Sequence, residues 1–300
     1  EQMSAPLCNA ILNRNDSHLI LEKLDKDNMF VIPLDNKRNW YRYHHLFAEL
    51  LRQRLHLRDK VEINKLHNKA CEWFGNNNMN ELVIEHALKI KNYKKGILLL
   101  GTVAEDMWQN GMHAAILRYG DMLPDEIIKS NPEFCLYYAW ILISAGQIQK
   151  AEPFLVSAEL KTKSIIQGNT LTKDKIQYHK KLLGKICVAF AYMNSHKGKA
   201  DRTLSYCKAA MEYLADDDPF WFSWAWFSYG VSYFSIGDLL EGSKAFDTAL
   251  EYGKKSGNIY LISTIVNRMA ENEQQLGHYR LAYKKCTELL TYIKERGYAP

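Results

Sequence analysis

A chain of 300 residues with 47% hydrophobic content can bury a sizeable core and is long enough for about two domains. Its 39 basic and 34 acidic residues leave a net charge of only +5, which demands neither a nucleic-acid nor a membrane partner, so partners must be argued locally. The six cysteines are widely spaced without a CxxC pair, which suits buried free thiols in a reducing compartment, and no apolar run approaches the ~18 residues of a membrane span; a cytoplasmic protein is expected.

In chain order, "DSHLILEKLDKDN" predicts a helix capped by Asp16 or Ser17 that buries Leu19, Ile20 and Leu24. "MFVIPLDNKRNWYRYH" alternates apolar and polar side chains around "DNKRN", which predicts a hairpin from about Met29 to Tyr43. "HHLFAELLRQRL" then predicts a helix with Leu46, Phe47, Leu50 and Leu51 on one face. Helices joined to a hairpin wing make a winged-helix domain over residues 1–60, lacking its first part.

From residue 61 to 300 the pattern becomes one of helix pairs, an α-solenoid with degenerate pairs over 61–120 and clearer tetratricopeptide-like repeats over 121–300. Short turns carry a glycine followed five residues later by a small residue: Gly146 and Ala151, Gly198 and Thr203, Gly237 and Gly242, Gly277 and Ala282. A small side chain at the second position lets two helices approach closely. With Gly230 as the close-packed position, "WAWFSYGVSYFSIGDLLEGSKAFDTALEYG" places Trp226, Tyr229 and Tyr233 at repeat-core positions, followed by Gly242, Phe246 and Ala249. Between 157 and 181 the repeat is stretched, by longer helices or a loop. The fold class is thus mostly α, a solenoid preceded by a partial winged helix.

The same register puts Trp224, Phe227 and Phe234 on a concave face, joined by Asn267, Glu271 and Gln274 from the following repeat and by Lys185 and Tyr192 from the preceding one. Aromatic plates interleaved with amides and carboxylates suit a small molecule such as a sugar, or a short peptide. His44 and His45 are adjacent, pointing about 100° apart on a helix, which does not favour one metal; His67 and Cys71 lack further ligands and read as packing. Arg38, Arg42, Arg52 and Arg54 are balanced by Asp35, Glu49 and Asp59, which favours a domain interface over a DNA surface.

The stretch "SAPLCNAILNRNDSHLILEKLDKDNMFVIPLDNKRNWYRYHHLFAELLRQRL", with "LHNKACEWFGNNNMNELVIEHAL" and "LPDEIIKSNPEFCLYYAWILISAGQIQKAEPFL", resembles the MalT-like large ATP-dependent transcription activators of the LuxR family. That resemblance implies a STAND-class protein in which a nucleotide-binding module, a winged helix, a tetratricopeptide-like sensor and a LuxR helix-turn-helix follow in order, with this chain matching the middle. It implies ATP or ADP as cofactor of the full-length protein and DNA as its partner through a C-terminal domain. "Tyr43-His44-His45-Leu46" is similar to the Met-His-Asp-type motif whose histidine meets the β-phosphate of ADP, which assigns that contact to His44, although His45 replaces the acid. The chain itself carries no GxxxxGK[ST] loop and no catalytic constellation, so no enzyme, metal or cofactor is expected in it. The expectation is a regulatory, bacterial ligand-sensor region in signal transduction; the alternative is a scaffold holding a partner's peptide.

Overall fold

A computed structural model describes residues 2–57, 60–168, 172–214 and 218–297. They gather into two compact units, Glu1–Val103 with Met122–Ile127 and Ala104–Asp121 with Ile128–Pro300.

In the first unit, β1 (Met3–Ser4) leads into α1 (Ala5–Leu12) and α2 (Ser17–Lys26), and the hairpin β2 (Val31–Pro33) and β3 (Trp40–Tyr43) follows. The hairpin gains a third strand: β1 pairs antiparallel with β3, giving the order β1-β3-β2. Asp35 shapes the turn by accepting bonds from the backbone N–H groups of Lys37, Asn39 and Trp40 at 2.9, 3.1 and 2.8 Å, and these hold its carboxyl below the usual range. Arg38, at φ 54°, reaches back to Asp25 at 3.1 Å. Helix α2 buries Ser17 and Leu21 rather than Leu19, which is 59% exposed, because the helix docks through Leu21 and Leu24 onto Val31 and Tyr41.

Helix α3 (His45–His56) also departs from its expected face. Phe47 stacks on Phe30 at 5.1 Å, whereas Leu46 and Leu50 are exposed. Helices α4 (Lys60–Asn76) and α5 (Asn80–Lys89) form the first pair, and α6 (Tyr93–Gln109) begins in this unit. The sequence suggests a boundary at residue 61, yet α4 and α5 belong to the first unit: Leu7 and Ile11 of α1 pack on Ala70, Phe74 and Val83.

The second unit holds the end of α6, then α7 (His113–Asp121), and the residues of the short α8 (Asp125–Lys129) are divided between the two units. The pairs α9 (Pro132–Ser144) and α10 (Ile148–Gln167), α11 (Lys173–His196) and α12 (Ala200–Tyr213), α13 (Pro219–Ser235) and α14 (Leu239–Ser256), and α15 (Ile259–Gln275) and α16 (Tyr279–Glu295) complete it. The stretched region proves to be two long helices, α10 and α11; residues 169–171 between them lie outside the described residues.

One turn recurs through both units. Gly146, Gly198, Gly237 and Gly277 adopt φ of 76°, 65°, 86° and 80°, and the next residue's N–H bonds to the carbonyl five residues back, as from Gln147 to Leu142. Five residues on, Ala151, Thr203, Gly242 and Ala282 are buried. Gly242 and Gly230 sit backbone to backbone: a Cβ on Gly230 would lie 2.6 Å from the Phe246 ring and 3.2 Å from the Gly242 carbonyl. The α6–α7 turn repeats the scheme with Gly111 and Ile116, and the turns of α4–α5 and α5–α6 use Asn78 and Lys91 at φ 58° and 57°. An L side chain is disfavoured there, so Lys91→Gly is expected to stabilise the protein by about 0.5–1 kcal/mol, read as a higher unfolding midpoint.

Candidate functional site

The helix "PFWFSWAWFSYGVSYFS" starts cleanly because Asp218 accepts a bond from the Trp221 backbone N–H and Pro219 occupies the first turn. It carries aromatic residues on every face, so its neighbours decide which are buried. Trp221 and Trp224 are 0% and 2% exposed, and Phe227 is 5%. Trp221 stacks on Trp108 of α6 at 5.2 Å and 16°, and meets Trp140 of α9 edge to face at 5.4 Å. Trp140 in turn stacks on Tyr192 of α11 at 4.9 Å and 7°.

This departs from the expected register. Trp226, Tyr229 and Tyr233 are only half-buried, while Trp224 and Phe227, expected on an open concave face, lie in the core. The reason is that α11 and the ends of α6 and α9 cover that face of α13.

A carboxylate organises the same layer. Glu105 of α6 accepts from Lys185 Nζ at 2.6 Å and from Trp221 Nε1 at 3.3 Å, and Asp218 lies 3.8 Å from the same ammonium. Burial pushes the Tyr137 hydroxyl far above its ordinary range, and Glu105 beside it adds to this. Lys185 is therefore spent on an ion pair, its side chain 13% exposed, and also lies 5.6 Å from the Trp221 ring centroid.

Beside the aromatic layer opens a pocket of about 290 Å³. Trp108, Trp140, Phe220 and Trp224 wall it, Ile141 and Gly111 complete the apolar surface, and Gln109, His113, Ser144, Asn258 and Tyr260 supply polar groups. Several of these spend a bond on the scaffold: Ser144 Oγ donates to the Trp140 carbonyl at 3.1 Å, His113 Nε2 lies 3.2 Å from the Trp108 carbonyl, and Asn258 Oδ1 caps α15 through Leu261 N–H.

Of the residues singled out in the sequence, Trp224 lines this pocket and Tyr192 supports its wall from behind Trp140. Phe234 is half-buried, with the Arg268 guanidinium 5.5 Å from its ring centroid. Asn267, Glu271 and Gln274 are exposed on α15, Glu271 paired with Arg268. They do not line the pocket. Trp108, His113, Trp140, Ser144, Phe220, Asn258 and Tyr260 carry no local motif, because five helices distant in sequence contribute them.

In the first unit His44 sits at the N-cap of α3, its backbone N–H bonded to the Phe30 carbonyl at 2.7 Å. Its half-buried side chain makes no cap bond and lies against His45, with ring centroids 4.5 Å apart. Cys71 donates to the Val83 carbonyl, and His67 faces His86 with Nδ1 atoms 2.9 Å apart. No group of three or more metal-ligating side chains occurs among the described residues.

The histidine pair links α4 to α5 and makes the first unit pH-sensitive. One ring donates and the other accepts, so protonating the acceptor breaks the contact. Burial, then His67 and Lys89, lower His86 to about 4, and burial followed by Lys89 lowers His67. In the unfolded chain both titrate near ~6.5. The unfolded state therefore binds more protons below that value, and stability present above it is lost as pH falls towards 4. Both rings are partly exposed, so the expected loss between pH 7 and 5 is about 1 kcal/mol, seen as faster amide exchange across α4 and α5. His86→Phe should flatten this dependence.

The geometry is that of a winged-helix unit followed by tetratricopeptide-like helix pairs. Residues 1–63 match the family model described as the MalT winged helix domain. Over 151 residues, 50% of this chain and 17% of that protein, the sequence is 26% identical to the HTH-type transcriptional regulator MalT of Vibrio parahaemolyticus. Over 167 residues, 53% of this chain and 15% of that protein, it is 23% identical to the serine/threonine-protein kinase PknK of Mycobacterium tuberculosis. The fold, over 99% of this chain and 43% of the other, is similar to a signal transduction ATPase with numerous domains (STAND) protein with a tetratricopeptide repeat sensor from Pyrococcus horikoshii, with a TM-score of 0.57 at 16% identity. The chain resembles the MalT-like regulators in its winged helix, and its fold is similar to that of the STAND protein with a tetratricopeptide repeat sensor. No described helix is long and apolar enough to cross a membrane.

Proposed function

We propose that this chain is the winged-helix and sensor portion of a MalT-like LuxR-family transcription activator, a regulatory and non-catalytic region. An inducer occupies the pocket walled by Trp108, Trp140 and Trp224. Its binding biases a nucleotide-binding module of the full-length protein between ADP- and ATP-bound states, and a separate domain of that protein engages DNA. The coupling requires only that the inducer bind the two states with different affinity. His44, at the start of α3 with no cap bond on its side chain, is the residue assigned to the nucleotide phosphate.

The observation that carries this reading is the conjunction, in one chain, of the MalT winged-helix match over residues 1–63 with an aromatic-walled pocket in the helical-repeat unit. The test is a thermal-shift screen of oligosaccharides and small metabolites. A binder at 100 times its Kd stabilises by about 2.7 kcal/mol. Trp224→Ala is expected to abolish that shift. A shift that survives Trp224→Ala removes the pocket from the reading, and stabilisation by a partner's peptide alone favours the scaffold.

A further inference from the structure

The pocket in the second unit has a chemical bias that the sensor reading does not specify. Among its described lining residues there is no aspartate, glutamate, lysine or arginine. Its surface is made of indole and phenyl rings, and its polar groups are amides, hydroxyls and an imidazole. The carboxylate of the same layer, Glu105, already holds the Lys185 ammonium at 2.6 Å and the Trp221 N–H at 3.3 Å. An ionised ligand would shed water here without gaining a counter-ion, which is strongly unfavourable. A neutral ring loses little hydration and gains aromatic contact.

Size narrows the class. The volume of about 290 Å³ lies just below the ~300–1,000 Å³ usual for ligand pockets. One or two rings fill it. The Gln109 and Asn258 amides and the Tyr260 hydroxyl can donate to acceptors on a ligand's edge.

We infer that the pocket selects an uncharged molecule of one or two rings, with an apolar face and hydrogen-bond acceptors on its edge, and rejects ionised analogues of the same shape. The inference rests on the sensor reading and specifies its ligand. A sugar ring and an uncharged nitrogen heterocycle are the two sources of this chemistry.

Matched pairs test it by thermal shift and titration calorimetry on the full chain: glucose against glucuronate, cellobiose against cellobiouronate, nicotinamide against nicotinate, and uracil against orotate. The neutral member of at least one pair is expected to bind, its ionised partner at least tenfold more weakly, and the responding pair identifies the source. Ser144→Asp, at an exposed position on the pocket rim, leaves the core intact and is expected to weaken the neutral ligand at least tenfold. An ionised member that binds as well as its neutral partner, or a neutral ligand indifferent to Ser144→Asp, overturns the inference and leaves the sensor reading standing. If no member of any pair binds, the inference falls, and the broader screen decides the sensor reading.

Discussion

Trp221→Ala is expected to destabilise the second unit by about 3–5 kcal/mol, the range for deleting a fully buried large aromatic side chain. The residue is 0% exposed and touches helices from three parts of the unit. Its ring stacks on Trp108, meets Trp140 edge to face, lies 6.3 Å from Tyr137 and has the Lys185 ammonium 5.6 Å from its centroid, while its N–H donates to Glu105. Truncation removes the apolar burial and the ring contacts, and leaves a cavity that rigid helices fill only in part. Trp221→Phe keeps a ring and is expected to cost less than half as much, so the pair separates volume from the indole N–H. The measurement is thermal unfolding followed by far-ultraviolet circular dichroism. A change below 1 kcal/mol for Trp221→Ala would sink the view that this residue centres the core.

The helical class, the hairpin wing and the glycine-marked turns were legible in the sequence because each has a local cause. Gly146, Gly198, Gly237 and Gly277 announce a left-handed residue, and the buried small residue five positions on follows from close helix approach. The same turn at Asn78 and Lys91 was less plainly marked, since asparagine tolerates the left-handed region without requiring it and lysine adopts it against its preference. Strand β1 is two residues long, too short to show alternation. The orientation of α13 was misread for a related reason: with aromatics on all faces, no periodic contrast says which side is buried. That choice belongs to Trp108 and Trp140, more than 75 residues earlier in the chain. The exposed Leu46 and Leu50 show the converse, a clear apolar stripe on α3 that the described residues leave open. The pocket was least legible, because Trp140 is hidden in a helix that is apolar nearly throughout and Ser144, Asn258 and Tyr260 resemble ordinary helix-end residues.

Glu105→Ala is the second large effect, expected at about 2–3 kcal/mol. Removing one partner of a buried ion pair costs about 3–5 kcal/mol because the other charge is stranded. Here the figure is lower, since the Glu105 side chain is 37% exposed and Asp218 at 3.8 Å keeps a partial counter-ion for Lys185. The substitution also strips the Trp221 N–H of its acceptor and takes the Gln109 amide's partner at 3.5 Å. The decisive variant is the double substitution Glu105→Ala with Lys185→Met, which removes the stranded ammonium and keeps an apolar stem against Trp221. It is expected to be more stable than Glu105→Ala alone, giving a coupling energy of about 1–2 kcal/mol in a double-mutant cycle. That coupling should change little between 0.05 and 0.5 M salt, because Lys185 is 13% exposed. The exposed pair of Lys244 and Glu241 serves as the control and should show a small, salt-sensitive coupling. Strict additivity of Glu105→Ala and Lys185→Met would mean that the pair does not act as a unit. The aromatic layer would then be held by ring packing alone, and Glu105 would be a solvated neighbour of the pocket rather than the anchor that ties α6 to α11 and α13.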